Sequence, residues 1–201
     1  MKKIISLILL LFINFNFASI ATDSSAPSFE LLNSYGKKIS LDNFTGKTII
    51  LEWTNHDCPF VAKHYATGNM QSTQKQAKDQ NVIWLTIISS APGTQGYVLP
   101  EKANELSSSR DALPNHVLFD PDGNVGRMYG AKTTPHMYII DKKGLLRYQG
   151  AIDDAGGKGF WTKNLFEADN HVKDALSKLQ KGEEITTKVS KPYGCSVKYK
   201  G

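Results

Sequence analysis

Cysteine is scarce in this sequence, with two among 201 residues. That excludes a disulfide-stapled scaffold and a tetrathiolate zinc site, so a hydrophobic core must carry the fold. Internal repeats, low-complexity tracts and blocks of like charge are missing as well. The lysines are scattered over Lys37, Lys63, Lys102, Lys132, Lys163 and Lys198 instead of forming a patch. The formal net charge of +5 falls to +3 once Lys2 and Lys3 are set aside, because all 19 acidic residues follow Ala21. So mild a charge without a cluster argues against a nucleic-acid partner. What is there is ordinary globular material, 40% hydrophobic and 21% charged, in one domain's length.

Residues 1–21 read as a secretory signal peptide. Lys2 and Lys3 precede an apolar run from Ile4 to about Phe17, small residues follow at Ser19 and Ala21, and Thr22-Asp23-Ser24-Ser25 is polar. The run is interrupted by Asn14 and Asn16 and is shorter than the ~20 apolar residues a membrane span requires. No cysteine stands near the cleavage point to carry a lipid, so the expected product has no stable membrane anchor and is periplasmic or secreted. The expected divisions are a leader at 1–21, one domain at 22–181, and a C-terminal tail at 182–201.

Within the domain, alternation around Phe29, Leu31, Tyr35 and Ile39 predicts an N-terminal hairpin. Thr48–Trp53 is a nearly continuous apolar run, the pattern of a strand covered on both faces. A helix starting at Pro59 is predicted to run toward Asp79, with Gly68 and Asn69 as a possible interruption. Val82–Ile88 is a second buried strand, which completes a βαβ unit. A polar helix at Pro100–Arg110, a strand at His116–Phe119, a turn at Asp120–Asn124 and a hairpin of Met137–Ile140 with Leu145–Tyr148 follow. A glycine-bearing loop through Asp153, Asp154, Gly156, Gly157 and Gly159 leads to a helix predicted over Asn164–Leu179, apolar on one face. The fold class is therefore α/β, a central mixed sheet flanked by helices.

Cys58 follows the first buried strand and precedes Pro59, which sets its sulfur at a helix N-terminus. Free N–H groups and the positive end of the helix dipole stabilise a thiolate there. Asn55, His56 and Asp57 make the position too polar for an inert core cysteine. Glu52 lies inside the apolar strand, where burial should raise its pKa and fit it for proton exchange near neutral pH. Thr134-Pro135 precedes a later strand, and by base rate alone its peptide bond would be trans.

Phe29-Glu-Leu-Leu, Gly36, Ser40-Leu-Asp-Asn-Phe, Gly46-Lys47 and Cys58-Pro59 resemble, in their order and spacing, the redoxin branch of the thioredoxin superfamily. That branch includes AhpC/TSA-like, peroxiredoxin-like proteins and exported thiol-disulfide oxidoreductases. Asp120-Pro-Asp-Gly, Tyr129-Gly, Thr133-Thr-Pro, Met137-Tyr-Ile-Ile-Asp141 and Gly144 are similar to the second half of the same domain. Trp53–Phe60 and Lys191-Pro-Tyr-Gly-Cys-Ser196 look like a subgroup of small exported redoxins. The resemblance implies a thioredoxin-like fold with an N-terminal hairpin extension and a C-terminal tail. It makes Glu52 the buried acid before the nucleophile Cys58, Pro135 a cis-proline packed on Cys58, and Thr134 a backbone contact for a substrate. Pro59, His136 and Trp53 complete the expected substrate-binding set, with Phe60 and Tyr65 as further candidates for the groove floor.

This chain departs from the family pattern at several positions. Val61 stands where a local second cysteine would be, and Leu51 and Asn55 replace the proline and hydroxyl residue of a peroxidatic site. Arg127 is the candidate for the arginine of that pattern. Cys195 is the remaining partner for Cys58, either as a resolving cysteine on a mobile tail or as a staple worth about 5 kcal/mol of chain entropy. The expected activity is thiol-disulfide exchange or peroxide reduction, with an external thiol reductant and no bound cofactor. The alternative is a non-enzymatic copper-binding module in which His56 and His136 approach Cys58.

Overall fold

The computed structural model describes residues 20–156 and 164–201. The predicted leader lies outside the described residues up to residue 19, and so does the Gly157-Lys158-Gly159 segment. In chain order the elements are β1 (Glu30–Asn33), β2 (Lys38–Ser40), β3 (Ile49–Trp53), α1 (Pro59–Ala66), α2 (Asn69–Asp79), β4 (Ile83–Ile88), α3 (Pro100–Ser109), β5 (His116–Phe119), α4 (Asn124–Tyr129), β6 (Thr133–Thr134), β7 (His136–Ile140), β8 (Leu146–Gly150), α5 (His171–Lys181) and β9 (Cys195–Ser196). Seven strands form one sheet in the order β2-β1-β5-β4-β3-β7-β8, and β6 with β9 forms a separate two-stranded sheet.

The central strand β3 runs parallel to β4 and antiparallel to β7. All five of its residues are buried because helices or strands cover both faces. Ile50 packs with Val61, Met70, Trp84, Met137 and Leu176 on the α1/α2/α5 side. Leu51 and Trp53 pack with Leu85, Ile87, Tyr129 and Tyr138 on the other. This two-sided burial is the physical source of the unbroken apolar run. Each large aliphatic side chain so buried contributes roughly 1.5–3 kcal/mol.

The helix expected from Pro59 to Asp79 is divided where Gly68 adopts a left-handed φ of 74°, giving α1 and α2. The last helix begins later than its apolar pattern predicts. Asn170 accepts a hydrogen bond from the Lys173 amide and starts α5 there, while Asn164 uses its side chain in a turn to the Phe166 amide at 3.2 Å. Short polar side chains that satisfy local N–H groups favour caps and turns over helix interiors, which moves the boundary from 164 to 171. The N-terminal hairpin joins the main sheet by pairing β1 with β5.

After α5 ends at Gly182, the tail returns across the domain. Gln149 N–H donates to Lys188 O at 3.0 Å, and Ser190 N–H donates to Gln149 O at 3.1 Å. Further on, Val197 N–H reaches Lys132 O at 3.1 Å and Ala91 N–H reaches Lys198 O at 2.8 Å. The C-terminal tail, mobile under one of the two expectations for Cys195, is thus hydrogen-bonded to three separate parts of the domain.

Candidate active site

The loop between β3 and α1 is held by Asn55. Its Oδ1 accepts from the Asp57 amide at 2.9 Å and its Nδ2 donates to Gln95 O at 3.3 Å. This turn delivers Cys58 to the N-cap of α1, with Pro59 at the first helical position, where its missing N–H is no loss. Cys58 is fully buried, and its Sγ donates to the Thr134 carbonyl oxygen at 3.1 Å. Thr134-Pro135 is a cis peptide bond. On the far side of Thr134, β9 pairs antiparallel with β6 and sets Cys195 directly opposite Thr134. Both cysteines are thiols, Cys58 buried and Cys195 part-exposed.

Burial pushes the Cys58 thiol up, but a hydrogen bond from the Cys195 thiol, the Val61 amide in the first turn of α1, the Thr134 side chain and the Cys195 backbone outweigh it. The Cys58 pKa therefore lies below the ordinary thiol value. Cys195 is pushed up to about 12, by its own burial first and then by hydrogen bonding and charge from Cys58, against a small opposing effect of Lys198. The opposite shifts favour ionisation of Cys58 before Cys195, with the Cys195 thiol as a donor to the Cys58 sulfur. As a neutral thiol, Cys58 donates to the Thr134 carbonyl instead, so ionisation exchanges that bond for N–H, O–H and S–H donors.

Glu52 is fully buried on the Cys58 side of the sheet. Its Oε2 accepts from Trp84 Nε1 at 2.8 Å and from Thr86 Oγ1 at 3.0 Å, and its Oε1 from the Tyr65 hydroxyl at 3.4 Å. Burial nevertheless holds its pKa above the usual carboxylate value, those donors and Thr54 opposing it. Its described hydrogen bonds run to β4 and to the far end of α1, not to Cys58. Thr54, Tyr65 and Thr86 also line a cavity of about 40 Å³ that His56 and Arg110 border.

The other expected site residues are spread out. Trp53 is fully buried on the opposite face of the sheet, its indole donating to Ser89 at 3.0 Å and packed 5.0 Å from the Tyr138 ring. That makes it a core residue with no surface for substrate, because strand alternation turns residues 52 and 53 to opposite faces. His136 follows the same alternation onto Tyr138, 4.6 Å between ring centroids, where burial pushes its pKa down to about 3. His56 pairs with Asp57 at 3.0 Å. The two histidines therefore do not converge on Cys58. Among the described residues, no group of three or more His, Cys, Asp or Glu side chains forms a candidate metal site. Arg127 is committed elsewhere. It donates to Asp122 O at 2.7 Å and to Lys200 O, and lies 4.7 Å from the centroid of the Tyr199 ring. Phe60 packs edge-on against Tyr193, and Pro59 is exposed beside Cys58.

The model of the AhpC/TSA family matches residues 22–149. The chain belongs to that family. It is a redoxin of the thioredoxin superfamily, and the chemistry of that group is thiol oxidoreduction on thiols, disulfides or peroxides. This redoxin is 28% identical over 163 residues to a Coxiella burnetii protein named "Putative peroxiredoxin bcp", covering 80% of this chain and 99% of that one. An uncharacterized conserved protein from Geobacillus kaustophilus superposes with a TM-score of 0.77 at 23% identity, over 90% of this chain and 93% of that one. The thioredoxin domain of a thiol-disulfide oxidoreductase from Bacteroides vulgatus superposes with a TM-score of 0.52 at 19% identity, over 65% of this chain and 89% of that one. These likenesses agree on a thioredoxin-like α/β fold.

One part of the redoxin's site escaped sequence reasoning. Tyr193, two residues before Cys195, sends its hydroxyl to the Asp153 carboxylate and lies 3.1 Å from His64 Nε2. Asn69 joins the group, donating to Asp153 Oδ2 at 2.8 Å and standing 2.9 Å from His64 Nδ1. All three partners come from different segments, so no spacing in the sequence links them. The only signal was the cluster of Tyr193, Cys195, Val197 and Tyr199 in a mostly polar tail.

Proposed function

We propose that this redoxin is an exported two-cysteine thiol oxidoreductase that cycles between a Cys58–Cys195 disulfide and the dithiol. The observation that carries this reading is the β6–β9 register, which holds Cys195 opposite the residue whose carbonyl meets the Cys58 thiol. In the forward direction the Cys58 thiolate attacks a substrate disulfide, forming a mixed disulfide and releasing one substrate thiolate. Cys195 then attacks Cys58, and the second substrate sulfur leaves. Thr134 and Pro135 form the backbone platform, Pro59 the exposed rim beside the nucleophile, and Glu52 a proton store that communicates through Tyr65 on the helix carrying Cys58. The leader-like residues 1–21 support export to an oxidising compartment, where such a disulfide persists.

Disulfide exchange is the favoured chemistry. Leu51 and Asn55 offer no hydroxyl to a peroxide at the positions the peroxidatic pattern uses, and Arg127 is bound to the tail. Peroxide reduction is the second reading, supported by the peroxiredoxin name of the Coxiella relative. In that case hydrogen peroxide oxidises Cys58 to a sulfenic acid and leaves as one water, and Cys195 condenses with the sulfenic acid to the same disulfide, releasing a second water. The test is a stopped-flow comparison on the reduced full chain, with closure of the Cys58–Cys195 bond read by intact mass. Faster closure with a peptide disulfide than with hydrogen peroxide supports exchange, the reverse order supports the peroxidase, and no closure with either overturns the two-cysteine reading.

A further inference from the structure

We propose that the substrate disulfide of this redoxin lies in an acidic polypeptide, which docks on Lys132, Lys198 and Arg110 around the site. This rests on disulfide exchange as the chemistry of Cys58 and names its substrate class. The lysines are scattered along the sequence, but the pairing of β6 with β9 gathers two of them. Lys132 precedes β6 and Lys198 follows β9, and Val197 N–H donates to Lys132 O at 3.1 Å, so both stand at the same end of the two-stranded sheet. Lys132 is exposed, and Lys198 reaches back to the exposed Ser196, donating to its hydroxyl at 3.0 Å. Their charges are felt inside the site, where Lys198 works against the rise of the Cys195 pKa and Lys132 helps to keep His136 neutral. On the turn before Cys58, Arg110 donates to His56 O at 3.4 Å.

The chain itself leaves these charges unanswered. Among the described residues, Lys132, Lys198 and Arg110 form no ion pair with a carboxylate, whereas Lys38, Lys75 and Lys178 each hold one. Asp57, the exposed carboxylate on the turn before Cys58, is already engaged at both oxygens. Its Oδ1 lies 3.0 Å from His56 Nε2, and its Oδ2 accepts from the Gly96 amide at 3.3 Å. A substrate that brings its own carboxylates to this face supplies the missing partners, while one with basic residues there is repelled. Because salt screens exposed charges beyond a Debye length of about 8 Å, the selected residues are those flanking the substrate cysteine. Complementary charge of this kind raises the encounter rate and sets partner choice more than it adds contact energy.

The experiment uses the reduced full chain and three symmetrical peptide disulfides whose cysteines are flanked by glutamate, glutamine or lysine. Closure of the protein disulfide is followed by acid quench and intact mass. Each rate is divided by that of the same peptide with dithiothreitol, which removes the peptide's intrinsic reactivity. At low ionic strength the glutamate peptide is expected to react at least about tenfold faster than the lysine peptide, with glutamine between them. The ratio should fall toward one in about 1 M salt, where the Debye length is about 3 Å. In Lys132→Gln/Lys198→Gln the ratio should fall at least about threefold. Lys143→Gln should keep it, because that turn follows Ile140, which pairs with Ile49 at the end of β3 away from Cys58. Thiol ionisation cancels in the ratio, so lysines that acted only through the sulfurs would leave it unmoved. Equal or reversed rates, or a ratio unmoved by the double variant, overturns the proposal while leaving disulfide exchange intact. Retention on phosphatidylglycerol vesicles at about 0.15 M salt, lost in the double variant, assigns the cations to a lipid surface and also overturns it. No closure with any peptide overturns the exchange reading and the proposal together.

Discussion

Gly194 lies flat against Thr134, so that a side chain at 194 would overlap the Thr134 carbonyl oxygen, the acceptor of the Cys58 thiol. Its φ of 126° is also one that other residues rarely adopt. Gly194→Ala is therefore expected to lift β9 off β6 and separate the two sulfurs. Thiol titration after an oxidant pulse should show disulfide closure slowed by at least about tenfold, at a stability loss of only about 1–3 kcal/mol. Closure at the wild-type rate would mean that β9 does not set the geometry.

Tyr193 anchors the same segment from the other side, through Asp153 and His64. Tyr193→Phe removes a buried hydroxyl and leaves a carboxylate oxygen short of one donor, which is expected to cost about 1–3 kcal/mol. Tyr199, whose hydroxyl donates to Ala131 O at 2.7 Å, is part-exposed, and Tyr199→Phe should cost less. Urea denaturation of the two variants side by side gives the ranking. An equal loss would show that Tyr193 has no special hold on the tail.

Two buried histidines make stability depend on acid. Burial pushes His64 down to about 4, with Asp153 opposing, and His136 down to about 3, with Lys132 adding to the effect. An unfolded histidine titrates near 6.5, so below that pH the unfolded chain binds protons that the native state refuses. The contribution is fully present above about 6.5 and is lost as pH falls toward 4, on the order of 3 kcal/mol for His64 alone. Unfolding midpoints measured at pH 7, 5.5 and 4.5 should fall in that order, and a flat series contradicts the burial of both rings in the native state.

Glu52 acts in the opposite sense. Its raised native pKa means that the folded state holds a proton the unfolded state has lost, so its presence destabilises the fold as pH rises through that value. Glu52→Gln should be more stable than wild type above that pH and should lose the advantage below about 4.5, where both forms are neutral. As a proton store, Glu52 should also shape the pH profile of disulfide exchange, and the substitution should flatten the profile. Superimposable profiles would remove Glu52 from the redox chemistry and leave it as the buried hub of Tyr65, Trp84 and Thr86.

The main sheet was legible because its strands follow hydrophobic patterns long enough to read, and the Gly68 break was signalled by the one residue that tolerates its φ. Cys58 was legible from its place between a buried strand and Pro59. The fate of the tail was not. β6 and β9 are two residues each, too short for any periodicity, and their pairing is fixed by tertiary contacts at Gly194, Tyr193 and Tyr199. Trp53 and His136 were misplaced for a different reason. Continuous apolar runs hide which face a residue takes, and only the register of β3 against β7 shows that Trp53 and His136 share the side away from Cys58.

The pairing of β6 with β9 sets Cys195 beside Thr134, whose carbonyl meets Cys58 at the start of the first helix, so residues far apart in the chain share one site. If Cys58 and Cys195 cycle as proposed, a chain clipped before residue 195 would still hold the seven-stranded sheet, yet Cys58 would lack the sulfur that disarms it. Such a chain could stay joined to whatever it attacked. On the proposed two-cysteine reading, β9 acts as the safety catch on the Cys58 thiol.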